Sequence, residues 1–323
     1  MRGSRKFIVC MLLLALLSVL MGATPGRGYS ATKYALELDG VVVGWVTAVE
    51  GGGAAGEVVT EKMGPDYLAK KHIGAVKYEE ISFKAGAGMS KAFYQWMQST
   101  VNGRYTRKSG AIIAADYNNR ELQRLTFVNA IITEIGMPAL DAASKDAASF
   151  TIKIAPEMTR RTVSAGTSIR FPIDASKQKK WLPANFRLRI DGLEAASSRV
   201  NKIEALTIKQ KVTEHAVGDG RDYEQEPTSL EIPNLVITFP ESHADEVYKW
   251  HEAFVIRGES GQDKEKGGTL EFLSQDLKEV LFTLEFRQLG IFKLTPDKVE
   301  AGGEQIRRVK AEMYCEEMVF SAR

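Results

Sequence analysis

The sequence has 323 residues, which is long for one compact domain and predicts two domains of about 150 residues each. Hydrophobic residues make up 44% of the chain and charged residues 26%, which is ordinary for a soluble globular protein and excludes a collagen-like, disordered or polytopic membrane chain. The formal net charge of +2 gives no excess of basic residues of the kind that indicates nucleic-acid binding.

Residues 1–23 have the profile of a signal peptide. Three basic residues precede an apolar run over residues 7–21, which is shorter than the roughly 20 residues that span a membrane, and small residues follow it. We expect cleavage after Ala23, although Ser30 or Ala31 would also serve, and an uncleaved anchor is the alternative. Losing the three basic residues leaves 40 basic against 41 acidic ones. The prediction is an exported protein, periplasmic or extracellular.

Residues 33–159 are predicted to form a first domain. Apolar and polar residues alternate over residues 34–40, and the run stops at an Asp-Gly pair, as a half-buried strand does where it enters a turn. A strand at residues 81–83 precedes a helix that Ser90 is predicted to cap, and further alternating runs follow. The buried stripe predicted for this helix consists of Phe93, Trp96, Met97 and Val101.

A second domain is predicted over residues 186–323, after a linker over residues 160–185 in which the apolar pattern is diluted. It opens with an alternating run over residues 186–192 that also ends in Asp-Gly, and a strand at residues 237–239 again precedes a helix. The sequence Ser-His-Ala-Asp at residues 242–245 predicts a capping box at the start of that helix. The buried stripe predicted here consists of Val247, Trp250 and Phe254.

The two halves therefore repeat one pattern of opening strand, later strand and aromatic helix. Both helices contain Tyr-x-Trp, at Trp96 and at Trp250, and each half has about six predicted strands. This pattern predicts a mainly β fold of two tandem β-barrel domains, each with one packed helix, and a small sandwich is the alternative architecture.

One glycine-rich run resembles a cofactor motif. Residues 51–56 satisfy the G-x-G-x-x-G pattern of dinucleotide-binding loops, which should open a helix. A β-branched, alternating stretch follows instead, so we predict a flexible hairpin loop and no cofactor.

The remaining candidates for chemistry lack the required spacing. Ser260 is outside the register of a nucleophile elbow, and Cys315, the one cysteine after the signal peptide, is predicted to be a packed thiol. Four histidines have no chelating arrangement: His72, His215, His243 and His251. We predict no catalytic, cofactor-binding or metal site, and no enzymatic activity.

The stretch from residue 34 to about residue 158 resembles the tail tube proteins of contractile phage tails and contractile injection systems, including type VI secretion tubes. The residues that carry the resemblance are the opening strand ending in Leu-Asp-Gly at 38–40, Gly-Trp-Val at 44–46, an extended loop reaching residues 72–78, the strand at 81–84 and the helix at 93–96. The second half keeps the opening strand and the helix, but departs from the pattern between residues 194 and 230.

The resemblance implies a structural subunit. Such proteins form six-fold rings whose sheets merge into a tube wall, while extended loops hold neighbouring rings together. Residues 51–71 would then form an inter-ring contact, with an ordinary surface loop as the alternative. Two tube domains in one chain imply a trimeric, pseudo-hexameric ring, with other tail or injection-system components as further partners.

The signal peptide is the main departure from this family, whose members assemble without export. A second hypothesis is therefore a secreted or periplasmic binding or adaptor module that uses the same scaffold to recognise a protein or a surface polymer. An enzyme is a third class, for which the sequence offers no constellation of residues.

Overall fold

The computed structural model describes residues 33–62, 64, 68–164, 166–170, 181–216, 223–297 and 306–322. Residues 32–323 form one compact unit. The predicted signal peptide and residues 171–180 of the predicted linker lie outside the described residues. Among the described residues, no helix is both long and apolar enough to cross a membrane.

The described part of the first half contains ten strands and one helix. In chain order they are β1 (Lys33–Leu38), β2 (Val41–Gly51), β3 (Ala54–Glu61), β4 (Lys70–Tyr78), β5 (Ile81–Ala85), α1 (Lys91–Val101), β6 (Lys108–Ala115), β7 (Glu121–Met137), β8 (Leu140–Asp141), β9 (Phe150–Ala155) and β10 (Met158–Val163).

Six of these strands close into a barrel. The order is β7-β6-β1-β2-β5-β9, and β9 pairs back onto β7, so the sheet has no free edge within this ring of strands. Strand β10 continues along β7 after β9, whereas β3 and β4 form a separate two-stranded sheet. The barrel interior and the inner face of α1 carry the apolar core, which includes Phe83, Phe127 and Trp96.

The described part of the second half contains eight strands. Its elements are β11 (Phe186–Ile190), α2 (Glu194–Ser197), β12 (Lys202–Ile203), β13 (Leu206–Ala216), β14 (Tyr223–Glu231), β15 (Leu235–Pro240), a 3-10 turn (Glu241–His243), α3 (Asp245–His251), a π-helical turn (Glu252–Ile256), a 3-10 turn (Gln262–Lys264), β16 (Lys266–Leu273), β17 (Val280–Pro296) and β18 (Arg308–Ala322).

The strand order of the second half follows that of the first. The sheet runs β11-β16-β17-β18-β15-β12, which corresponds to β1-β6-β7-β9-β5-β2, but β11 and β12 do not pair. The result is a half-barrel whose last strand, β12, pairs instead with β8 of the first half. The prediction of a mainly β fold with packed helices is confirmed, and the second barrel is open on one side.

Irregularities of the strands also recur at corresponding places. The pairing of β6 with β7 shifts register between Lys108 and Gly110, and the pairing of β16 with β17 shifts between Lys266 and Gly268. Opposite these shifts lie two residues with left-handed backbone, Asn129 with φ 50° and Gln288 with φ 56°. Such bulges bend a strand and increase its twist, so both long strands leave their barrels in the same manner.

The predicted helical stripes are buried, but two details of the predictions were wrong. Ser90 precedes α1 as its N-cap residue, yet its hydroxyl makes no capping hydrogen bond. The capping box at residues 242–245 does not form, because a 3-10 turn occupies this stretch and α3 begins only at Asp245, with Ala244 as its N-cap. The stripe of α3 is held by apolar burial instead.

The strand predicted at residues 237–239 lies within β15, Leu235–Pro240, and is confirmed. Ile81 lies ten residues before the start of α1, and Leu235 lies ten residues before the start of α3, so these two residues correspond.

Part of the predicted linker is built into the core. Residues 160–163 belong to β10, and Trp181 is only 1% exposed. The Trp181 ring stacks on Phe150 of the first half at a centroid distance of 5.1 Å and meets Phe272 of the second half edge-on at 5.2 Å. Aromatic packing thus joins the cores of the two halves.

Candidate assembly surface

The glycine-rich run is a corner between β2 and β3, not the predicted hairpin loop, because β3 pairs with β4 and not with β2. Gly51 and Gly52 have φ values of +82° and +74°, in the left-handed region that favours glycine. A Cβ at position 51 would lie 1.9 Å from the Glu80 carbonyl oxygen. The glycines therefore let the chain turn sharply out of the barrel.

Beyond this corner, β3 and β4 form a hairpin that we call arm 1, residues 54–61 and 70–78. Most of its side chains are exposed, and Val58 and Ile73 expose more than half of their surface. Residues 54–61 and 70–71 of the stretch predicted as an inter-ring contact, residues 51–71, lie in arm 1. Apolar side chains held on an exposed hairpin are typical of a surface that other molecules cover.

The second half has a matching hairpin, β13 and β14, which we call arm 2, residues 206–216 and 223–231. Lys209 pairs with Glu231 on arm 2, and Ala55 pairs with Lys77 on arm 1. Both residues of the arm 1 pair lie 154 positions before their counterparts on arm 2. Both arms shift register at corresponding places, after Gln210 and after Gly56. The two arms therefore share register and bulge, although β3 has 8 residues and β13 has 11.

The two arms contact each other through Lys77. Its Nζ lies 3.2 Å from Glu214 Oε2 and 5.6 Å from the ring centroid of Tyr223 on arm 2. The hydrogen bond to Glu214 raises the pKa of Lys77 above its ordinary value. Both partners are exposed, so this ion pair orients the arms more than it stabilises the fold.

The base of arm 2 is part of the sheet of the first half. Strand β13 pairs with the end of β7, with Leu206 opposite Met137 and Lys209 opposite Glu134. Ile135 of β7 and Ile208 of β13 are each 1% exposed. The second half thus adds a strand to the barrel sheet of the first half, and the apolar side chains at this junction are buried.

The base of arm 1 and the end of β17 are the corresponding surfaces, and both are uncovered. Ala54 and Ala55 are exposed, and no described strand pairs with β3 besides β4. Phe292 is 40% exposed at the end of β17. Beyond Leu289, no described strand pairs with β17 on the side of β16. The molecule therefore presents a free strand at each of two places.

The predicted candidates for chemistry are not brought together. Ser260 lies in a polar loop, and the described residues contain no group of three or more His, Cys, Asp or Glu placed to hold a metal ion. The four histidines occupy separate places: His72 in β4, His215 in β13 beside Glu226, His243 before α3 and His251 at its end.

Cys315 is a buried thiol in β18. Its Sγ donates toward the carbonyls of Arg287 and Glu317, and burial raises its pKa to about 11. A thiol that stays protonated near neutral pH is a poor nucleophile, so its place in the fold is that of a packed apolar group.

Comparison with known proteins bears on the first half. Residues 30–160 match the family model described as "T4-like virus tail tube protein gp19". The matched stretch covers the closed barrel and arm 1 and supports the tail tube resemblance seen in the sequence. It spans about two fifths of the chain. No curated protein matches the sequence.

Several solved structures are similar to part of this chain at low identity. The tube-containing "PVC sheath-tube complex in extended state" of an extracellular contractile injection system has 17% identity and a TM-score of 0.34, and the match covers 48% of this chain and 95% of that one. Hcp1 from Flavobacterium johnsoniae has 14% identity, a TM-score of 0.26 and coverages of 43% and 95%. The anti-feeding prophage baseplate has 14% identity, a TM-score of 0.33 and coverages of 42% and 91%.

Sequence reasoning located arm 1 but missed the other parts of this surface. The alternation of Leu206 and Ile208 with polar residues does indicate a strand. Its partner, the end of β7, lies some 70 positions away in the chain, and no local pattern specifies that pairing.

Proposed function

We propose that the chain is a non-enzymatic structural subunit that self-associates into rings or a tube like those of contractile phage tails and injection systems. The observation that carries the proposal is the match of residues 30–160 to the tail tube family, over a stretch folded as a closed barrel with a projecting arm. The uncovered strands at the base of arm 1 and at the end of β17 give the proposal a surface, because unpaired strands recruit partner strands.

We further propose that each half of the chain occupies one ring position, so that three chains fill six positions. The common strand order of the two halves, the equal registers of the two arms and the matching bulges at Asn129 and Gln288 support a duplication of one tube domain. Closed assembly would also give a partner to β11, which among the described strands pairs only with β16.

The site of action proposed for this subunit is outside the cytoplasm. The basic residues and apolar run at the start of the sequence support export by a signal peptide that is cleaved after Ala23. Other components of a tail or injection system are the partners proposed for the assembled ring.

The test is to express the full chain in bacteria with its own N-terminus and to purify the form that accumulates. Mass spectrometry of that form is expected to begin at residue 24, and a protein retained whole in the cytoplasm would contradict export. Mass photometry and negative-stain imaging are expected to show rings of three chains or stacks of them. Single chains at micromolar concentration would contradict the structural role and favour the binding or adaptor module instead.

A further inference from the structure

The contact between the two halves of one chain gives a template for a contact between chains. At this contact the base of arm 2 pairs with the end of β7, and its register is known residue by residue. Each partner has a structural equivalent elsewhere in the molecule. The equivalent of arm 2 is arm 1, and the equivalent of β7 is β17.

The correspondence of the two arms follows from their common register. Six pairs on arm 2, from Lys209 opposite Glu231 to His215 opposite Glu224, lie 154 positions after pairs on arm 1, as Val212 opposite Pro227 matches Val58 opposite Ile73. Lys209, which lies opposite Glu134 at the base of arm 2, therefore corresponds to Ala55.

The correspondence of the two long strands follows from their irregularities. The pairing of β7 with β9 shifts between Ile132 and Glu134, and the pairing of β17 with β18 shifts between Ile291 and Lys293. Glu134 thus corresponds to Lys293. The next residue along, Ile135, corresponds in the same way to Leu294.

We propose that residues 53–55 of one copy of the chain pair with residues 293–295 of a second copy. Ala55 would lie opposite Lys293 and Ala54 opposite Leu294, in the antiparallel register that Lys209 and Ile208 adopt on β7 within one chain. This inference rests on the self-association proposed above and names the two surfaces that carry it.

The chemistry of the two surfaces suits this pairing. Ala54 and Ala55 have small, exposed side chains that leave room for a second strand, while the Gly53 N–H donates to Glu79 Oε2 at 3.2 Å. Lys293 needs no counter-charge from its partner because its Nζ already lies 2.8 Å from Glu312. The exposed ring of Phe292 would be partly buried by the second strand. Pro296 has no N–H to donate and lies where the hydrogen bonds between the two strands would end.

The pairing is head-to-tail, which determines the kind of assembly. The donor strand belongs to the first half and the acceptor strand to the second, so each chain has one of each and binds two neighbours. Heterologous contacts of this kind close into a ring or continue as a filament. Within one chain, the pairing of arm 2 with β7 already joins two ring positions. If the same pairing recurs between chains and six positions close the ring, the ring contains three chains.

The experiment is a disulfide trap in the full chain with the double substitution Ala55→Cys and Lys293→Cys. Directly opposite residues of antiparallel strands have Cα atoms about 4.5–5.5 Å apart, within the range of a disulfide. Thr60→Cys with Lys293→Cys serves as the matched control, because position 60 lies on the same arm but out of register. Under mild oxidation we expect at least ten-fold more covalent product from the first pair, ending at a three-chain band on non-reducing gels.

The outcomes separate this pairing from the proposed function. If the unaltered protein assembles but both cysteine pairs cross-link equally, the pairing of β3 with β17 is wrong while self-association stands. If the unaltered protein stays a single chain, self-association itself is refuted.

A second variant decides the question if the cysteine protein misfolds. Leu294→Asp places a charge at the centre of the acceptor surface, on a side chain that is only half-buried in the single chain. We expect its circular dichroism to match that of the unaltered protein and its assembly to weaken at least ten-fold. Unchanged assembly of the folded variant would overturn the pairing.

Discussion

The ends of β7 and β17 have the same bulges, yet one is buried and the other exposed. On β7, Ile135 lies under β13 and is 1% exposed, whereas on β17 the corresponding Leu294 is half-buried and Phe292 beside it is 40% exposed. The backbone shape is therefore the same whether or not a further strand covers it. The covered end of β7 is therefore the template for the contact proposed at the end of β17.

The strongest test of this comparison is the pair of substitutions Ile135→Ala and Leu294→Ala. Removing buried methyl groups leaves a cavity, so Ile135→Ala is expected to lower the free energy of unfolding by about 2–5 kcal/mol. Leu294→Ala should cost about 1 kcal/mol or less in the single chain, because its side chain is already in partial contact with water. Urea denaturation at a concentration that keeps chains separate measures both, and equal losses would contradict the comparison.

An intermediate effect is expected at the two helix tryptophans. Trp96 Nε1 donates to the Thr106 carbonyl at 2.8 Å, and Trp250 Nε1 donates to the Lys264 carbonyl at 3.2 Å. Replacement by Phe removes the N–H donor and leaves the carbonyl without its hydrogen bond. The free energy of unfolding should fall by about 1–2 kcal/mol for Trp96→Phe. The loss should be smaller for Trp250→Phe, because the Trp250 ring is more exposed. The same denaturation assay ranks the two variants, and the reverse order would show that α3 is the more tightly held helix.

The smallest effect is expected where the two arms touch. A double-mutant cycle on Lys77→Met and Glu214→Gln should give a coupling energy of about 0.2–1 kcal/mol, since both groups are exposed. Because the charges lie in solvent, about 1 M salt should remove most of the coupling. A coupling above about 2 kcal/mol, or one that is insensitive to salt, would mean that the arms are buried against each other.

The local features of this fold could be predicted from the sequence. The opening strands ending in Asp-Gly, the buried stripes of both helices and the mainly β class all follow from periodicity and turn residues, which act over a few positions. The failed capping box at residues 242–245 shows the limit of such patterns, because a 3-10 turn there takes up the residues that would cap the helix.

The long-range features could not be predicted in the same way. Whether β11 meets β12, and whether β13 leaves its own half to pair with β7, depends on contacts between segments far apart in the chain. Trp181 illustrates the point, since its diluted surroundings suggested a solvated linker and the structure places its ring between the two cores. The correspondence between the end of β17 and the covered end of β7 likewise depends on pairings between distant segments.

The two acceptor strands also differ in the sign of one charge. Glu134 on β7 pairs with Lys153 at 2.9 Å, and at the equivalent place Lys293 on β17 pairs with Glu312 at 2.8 Å, so the ion pair is reversed. The ends of these two strands match in backbone shape but not in polarity. A ring of three such chains would therefore have three-fold and not six-fold symmetry in its electrostatic field. A six-fold partner stacked on that ring would meet two alternating environments, and one chain could thus specify two kinds of contact.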